Sequence, residues 1–150
     1  MTSMLERSAR IVDGTDNAPI GLKVTVDATP VEEVAPGIGV IESFSNVVVF
    51  NTDDGLTLFD VSHGMAAKSV VASLRSWSND RVNTAVYTHG HTDHVGGAGA
   101  FNADATRRAD RPIQYVAHEA VVDRFDRYKL TNGYNGYINM RQFRLPGPMF

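Results

Sequence analysis

Three histidines and one aspartate fall within six residues in the stretch Thr88-His89-Gly90-His91-Thr92-Asp93-His94. Neutral imidazole is the commonest metal ligand, and a carboxylate is a good companion donor. Side chains alternate with period two along an extended or looped backbone, so His89 and His91 can face one way. Asp93 continues that alternation and His94 faces away from it, so one short loop can feed two adjacent metal ions. A lone histidine is more often an ordinary surface or core residue, but that reading does not account for the whole cluster. The run is internal and interrupted by Gly90 and Asp93, which does not suit an affinity tag. The 150 residues contain no cysteine, so they hold no disulfide, thiolate site or cysteine nucleophile. Zinc held by nitrogen and oxygen alone points to hydrolytic rather than structural metal.

The elements that must position this loop follow from the hydrophobic pattern. Short β segments are expected at 31–34 and 38–43, and stronger ones at 46–50 and 56–60. Asp53-Asp54-Gly55 between the last two is a hairpin signal. Residues 64–78 switch to helical period, with Ala67, Val70, Val71, Leu74 and Trp77 on one face. Trp77 reads as a core residue. A buried strand over 83–88 then runs straight into the histidine loop, and the small glycine-rich stretch 96–99 follows. Another strand is expected at 113–117 and another helix at 118–130, before a tail rich in Gly, Asn and aromatics. The order is a β meander followed by β-α-β-α, which is an α/β (α+β) layered fold. The histidine loop lies at the C-terminal end of a strand, where open α/β sheets usually place their chemistry. Residues 1–30 read as an extended N-terminal arm and 31–150 as one domain.

Composition sets the class. Hydrophobic content of 43% and charged content of 21% are ordinary for a soluble globular chain. A net charge of -3 argues against a general nucleic-acid binder, and the small basic run Arg107, Arg108, Arg111 is only a weak case for a nucleic-acid role. Residues 1–14 contain no apolar core of signal-peptide length, and no apolar run approaches membrane-spanning length. The expectation is a cytoplasmic protein with neither a membrane nor a nucleic-acid partner.

The motif His89-x-His91-x-Asp93-His94, followed by Gly96-Gly97, resembles the signature of the metallo-β-lactamase fold superfamily. The hairpin at Asp53-Asp54-Gly55, the strand ending in Asp60, the helix and the strand delivering the histidines follow the same order. The resemblance implies an αββα sandwich with one or two metal ions, usually zinc, at one edge. It implies that His89 and His91 bind the first metal and Asp93 and His94 the second. Asp60 then hydrogen-bonds a ligand histidine and fixes its tautomer and orientation. The sequence departs from the family at Asp60-Val61-Ser62-His63-Gly64, where the family commonly has Asp-Thr-Gly; the extra His63 reads as a loop or helix-cap residue.

Further along, Ala117-His118-Glu119, residues 124–131, Gly133-Tyr134-Asn135 and Ile138-Asn139-x-Arg141-Gln142-Phe143 are similar to the alkylsulfatase-like branch. That branch implies a hydrolase in which metal-activated water attacks a small-molecule ester, a primary alkyl sulfate, with Asp93 orienting the attacking oxygen. Hydrolysis of a lactone, thioester or β-lactam, a non-catalytic metal-binding fragment, and a di-iron redox protein on the same fold are the alternatives. His118 and Glu119 suit an ordinary helix start better than a metal. Phe143, Leu145, Met149 and Phe150 suit tail packing better than an alkyl groove, and Arg141 and Arg144 suit solvated charge better than a sulfate contact. The superfamily needs further ligands downstream of the first loop. The expectation is therefore the N-terminal half of the sandwich, incomplete at its C-terminus. Such a half leaves one sheet face bare and is expected to associate, as a homo-oligomer for instance.

Overall fold

The computed structural model describes residues 3–16 and 27–142. Phe143, Arg144, Leu145, Met149 and Phe150 lie outside the described residues, as do residues 17–26 of the expected arm. The chain divides into two units, Met1–Ala117 and His118–Phe150.

The first unit is built on a six-stranded sheet whose strands follow chain order. β1 (Glu32–Ala35), β2 (Ile38–Ile41), β3 (Val47–Thr52) and β4 (Gly55–Phe59) form the antiparallel meander. Gly55 carries the positive φ of 111° at the β3–β4 turn, and a Cβ there would meet the Arg81 carbonyl oxygen at 2.6 Å. Helix α2 (Ala67–Trp77) then crosses over to β5 (Val82–Val86), which pairs parallel with β4. A short helical turn α3 (Thr92–Val95) and helix α4 (Ala98–Arg107) cross to β6 (Gln114–Val116), parallel to β5. Parallel neighbours require such crossovers, and these two bring the C-terminal ends of β4 and β5 side by side.

One face of the sheet forms the core. Ile41, Val47, Val49, Leu56, Leu58 and Ala85 pack with Val70, Val71 and Leu74 of α2 and with Phe101 and Ala105 of α4, while Trp77 is partly buried against them. The expected inward face of α2 is therefore the observed one. On the opposite face, Val40, Val48, Phe59, Val86 and Val116 are register partners in one row across the strands. Phe59 and Val116 of that row remain exposed.

Three expectations need correction. Met4–Val12, expected to be extended, is helix α1, because Ser3 and Glu6 form a reciprocal capping box. The expected glycine-rich stretch 96–99 leads into a helix over 98–107 that the sequence reading did not expect, because burial of Phe101 and Ala105 against α2 outweighs the low propensity of the glycines. In the second unit, helix α5 (Ala120–Gln142) continues past the expected end at residue 130 and through Gly133 and Gly136. The α2–α4 contact also holds a buried ion pair. Arg75 Nε donates to Asp104 Oδ2 at 2.7 Å, and Arg107 donates to the other oxygen. Arg108 Nε pairs with Asp110 Oδ2 at 2.9 Å, so Arg107 and Arg108 of the basic run are engaged within the fold. Among the described residues no helix is long and apolar enough to cross a membrane.

Candidate metal centre

Two loops leave the adjacent ends of β4 and β5, and they are fastened to each other by backbone. Asp60 N donates to Val86 O at 2.8 Å, Val61 N to His94 O at 2.8 Å, and Gly97 N to Ser62 O at 3.0 Å. Glycine makes this approach possible. A Cβ at Gly97 would lie 1.9 Å from the Val61 carbonyl oxygen, and one at Gly96 would lie 3.1 Å from Gly64 N. The Gly96-Gly97 pair therefore has a steric cause rather than a flexible one. Asp60 and Ser62 both adopt φ of 62°, the left-handed region that non-glycine residues occupy at a cost, and such strain concentrates at functional sites.

Asp60 is buried and its carboxylate is fully engaged. Oδ1 accepts from Thr88 N at 2.8 Å, and Oδ2 accepts from Thr88 Oγ1 at 2.7 Å and lies 2.7 Å from His94 Nδ1. A carboxylate only accepts, so His94 Nδ1 carries the proton and Nε2 carries the lone pair. Asp60 thus hydrogen-bonds one histidine of the loop, His94. Ser45 Oγ approaches the same Nδ1 at 3.1 Å. Nothing in the sequence marks Ser45, because it reaches His94 from 49 positions away.

The histidine rings gather around this point. The His89 ring lies 4.1 Å from that of His94 and 4.5 Å from that of His91, centroid to centroid. Donor atoms of Asp60, His89 and His94 lie within 4.8 Å of one another. His91 stands beside this group through its ring contact with His89. Asp93 Oδ2 lies 3.4 Å from His94 Nε2, the nitrogen that Asp60 leaves free. The expectation that alternation continues to Asp93, with His94 facing away, is corrected here. From Thr92 the backbone turns helical, with His91 O accepting from His94 N at 3.0 Å and from Val95 N at 3.1 Å. A helical turn replaces the period of two, so Asp93 and His94 meet instead of diverging.

The other candidates take local roles. His63 Nδ1 accepts from Met65 N at 3.2 Å ahead of α2, with its ring edge-on to Phe44 at 5.9 Å. His118 Nδ1 accepts from Ala120 N at 3.1 Å at the start of α5. Tyr87, between β5 and Thr88, has its hydroxyl pushed up to about 12 by burial and, less, by the charge of Asp60.

Imidazole and carboxylate are the donors zinc takes where thiolate is absent. Their convergence here, with one ring already held in the metal-ready tautomer, fits a divalent metal.

Comparison with known proteins agrees. Residues 40–106 match the family model described as the metallo-beta-lactamase superfamily. No curated protein sequence matches the chain. Among solved structures, a double mutant of the sec-alkyl sulfatase PisA1 superposes with TM-score 0.65 and 20% identity, covering 81% of this chain and 20% of that one. A B3 metallo-beta-lactamase with an active-site glutamic acid gives TM-score 0.56 and 21% identity, covering 72% of this chain and 42% of that one. BJP-1, a subclass B3 metallo-beta-lactamase of Bradyrhizobium japonicum, gives 0.54 and 19%, covering 67% and 37%. The chain thus spans 20% of the sulfatase and 37–42% of these lactamases. Residues 40–106 are thus similar to the metallo-beta-lactamase superfamily, and the fold is shared with solved structures of a sulfatase and of lactamases.

Proposed function

We propose that this protein is a metal-dependent hydrolase that takes one or two zinc ions and cleaves a small ester, a primary alkyl sulfate. The observation that carries the reading is the gathering of His89, His91 and His94 at the end of β5, with Asp60 behind His94. A bound divalent metal lowers the pKa of its water toward ~7 and stabilises developing oxyanion charge. His89, His91, Asp93 and His94 would hold it. Asp60 keeps the His94 proton on Nδ1, and Thr88 keeps the Asp60 carboxylate in place. Asp93 orients the attacking water.

The alkyl sulfate choice is supported by the similarity of fold to the sec-alkyl sulfatase over 81% of the chain, together with the segments after Ala117 noted above. The fold similarity to B3 metallo-beta-lactamases keeps β-lactam hydrolysis as the second reading.

The test is metal analysis of the purified 150-residue chain, followed by turnover assays on dodecyl sulfate, a lactone, a thioester and a β-lactam. Dodecyl sulfate turnover that disappears on chelation and in His91→Ala supports the proposal. Turnover of another ester with the same metal dependence moves the substrate within the fold. Intact metal binding with no turnover leaves a metal-binding scaffold, and failure to bind any divalent metal removes the reading altogether.

A further inference from the structure

We propose that Ser45, in the loop between β2 and β3, is a positioning residue for the metal centre, holding the His94 ring at the same nitrogen that Asp60 engages. This rests on the metal-site reading above.

Three successive side chains of that loop touch the two site loops. Ser43 Oγ lies 3.1 Å from Ser62 Oγ, the Phe44 ring packs edge-on to His63 at 5.9 Å, and Ser45 Oγ lies 3.1 Å from His94 Nδ1. Asn46 Oδ1 accepts from Ser43 N at 3.3 Å and closes the turn. Ser45 and Ser62 are both buried, so these hydroxyls do not trade their contacts for bulk water.

A single hydrogen bond from Nδ1 to Asp60 Oδ2 fixes the tautomer but leaves the ring free to rock about that bond. A second oxygen at the same nitrogen shares the one N–H and narrows the rocking. Nε2 is then kept beside Asp93, whose Oδ2 lies 3.4 Å from it. Groups that orient a ligand histidine in this way act on metal affinity as well as on rate.

The experiment uses the full 150-residue chain and zinc alone, with no substrate. Zinc affinity is measured by competition with a chromophoric chelator, and the His94 ring nitrogens are followed by long-range proton–nitrogen NMR before and after loading. Ser45→Ala should weaken zinc binding about tenfold and blur the His94 Nδ1–H signature in the metal-free protein, while Ser45→Thr, which keeps the hydroxyl, should return both most of the way. Circular dichroism reports whether each variant folds. If Ser45→Ala does not, Ser45→Gly, which also removes the hydroxyl and adds no metal donor, takes its place and should show the same loss. Zinc affinity and ring signature unchanged in the folded hydroxyl-free variant would overturn the proposal. A parent chain that binds no zinc would instead overturn the metal-site reading, so the two failures are distinct.

Discussion

Replacing Asp60 with Asn isolates one chemical question, because Asn tolerates the left-handed φ of 62° about as well as Asp does. The carboxylate accepts from Thr88 N, from Thr88 Oγ1 and from His94 Nδ1, all at 2.7–2.8 Å. In Asp60→Asn the amide oxygen can keep the Thr88 N–H, leaving an NH2 group where Oδ2 was. The Thr88 hydroxyl can reverse and accept from it. His94 must either lose its partner or change tautomer, with Nδ1 accepting and the proton moving to Nε2. That proton then occupies the metal-facing nitrogen. The loss of a charge-assisted bond should lower the stability of the metal-free protein by about 1.5–3 kcal/mol. The wrong tautomer should weaken zinc binding by roughly 10–100-fold, which corresponds to about 1.4–2.8 kcal/mol. Urea unfolding measures the first effect and chelator competition the second. Asp60→Ala should cost more stability than Asp60→Asn, by about 1–2 kcal/mol, because alanine also meets the left-handed penalty. Zinc affinity in Asp60→Asn within about twofold of the parent would refute the tautomer argument, since outer ligands of this kind normally matter far more.

Other outcomes follow from the same geometry. Gly97→Ala, whose Cβ would sit 1.9 Å from the Val61 carbonyl oxygen, should lower stability by about 2–4 kcal/mol by thermal unfolding. Gly99→Ala, with nothing within 4 Å and a place in the first turn of α4, should raise stability by about 0.5–1 kcal/mol. Burial and the nearby Asp60 raise the Tyr87 hydroxyl from 10.0 to about 12, so the folded state keeps this proton when the unfolded state has lost it. Stability should therefore fall as pH rises from 10.0 to about 12, and Tyr87→Phe should flatten that slope in part, the remainder coming from Tyr115, whose hydroxyl is raised by burial and by Tyr87. Ultraviolet titration of the tyrosines checks the shift directly.

Much of the frame was legible in the chain because it depends on local pattern. The Asp53-Asp54-Gly55 turn, the apolar segments that became β3 and β4, and the apolar face of α2 all read directly from local sequence. The elements that were not legible are those decided by packing. Helix α4 carries weak helical signals and forms against α2, and α5 runs through two glycines that the sequence marks as breaks. Helix α1 is a different case. Its capping box, Ser3 to Glu6, is a local pattern that hydrophobic periodicity does not report.

The site divides along the same line. Residue types and spacing by themselves pointed to residues 89–94 as a candidate metal loop, because three imidazoles and a carboxylate so close together have few other uses. Only the tertiary structure decided how those side chains meet. The helical turn at Thr92 brings Asp93 to His94, and the parallel pairing of β4 with β5 sets Asp60 beside Thr88. The β2–β3 loop then delivers Ser45 to the same imidazole nitrogen. Hydrogen bonds fix tautomer and direction only over about 3 Å, and no local pattern reports which distant residue will arrive within that range.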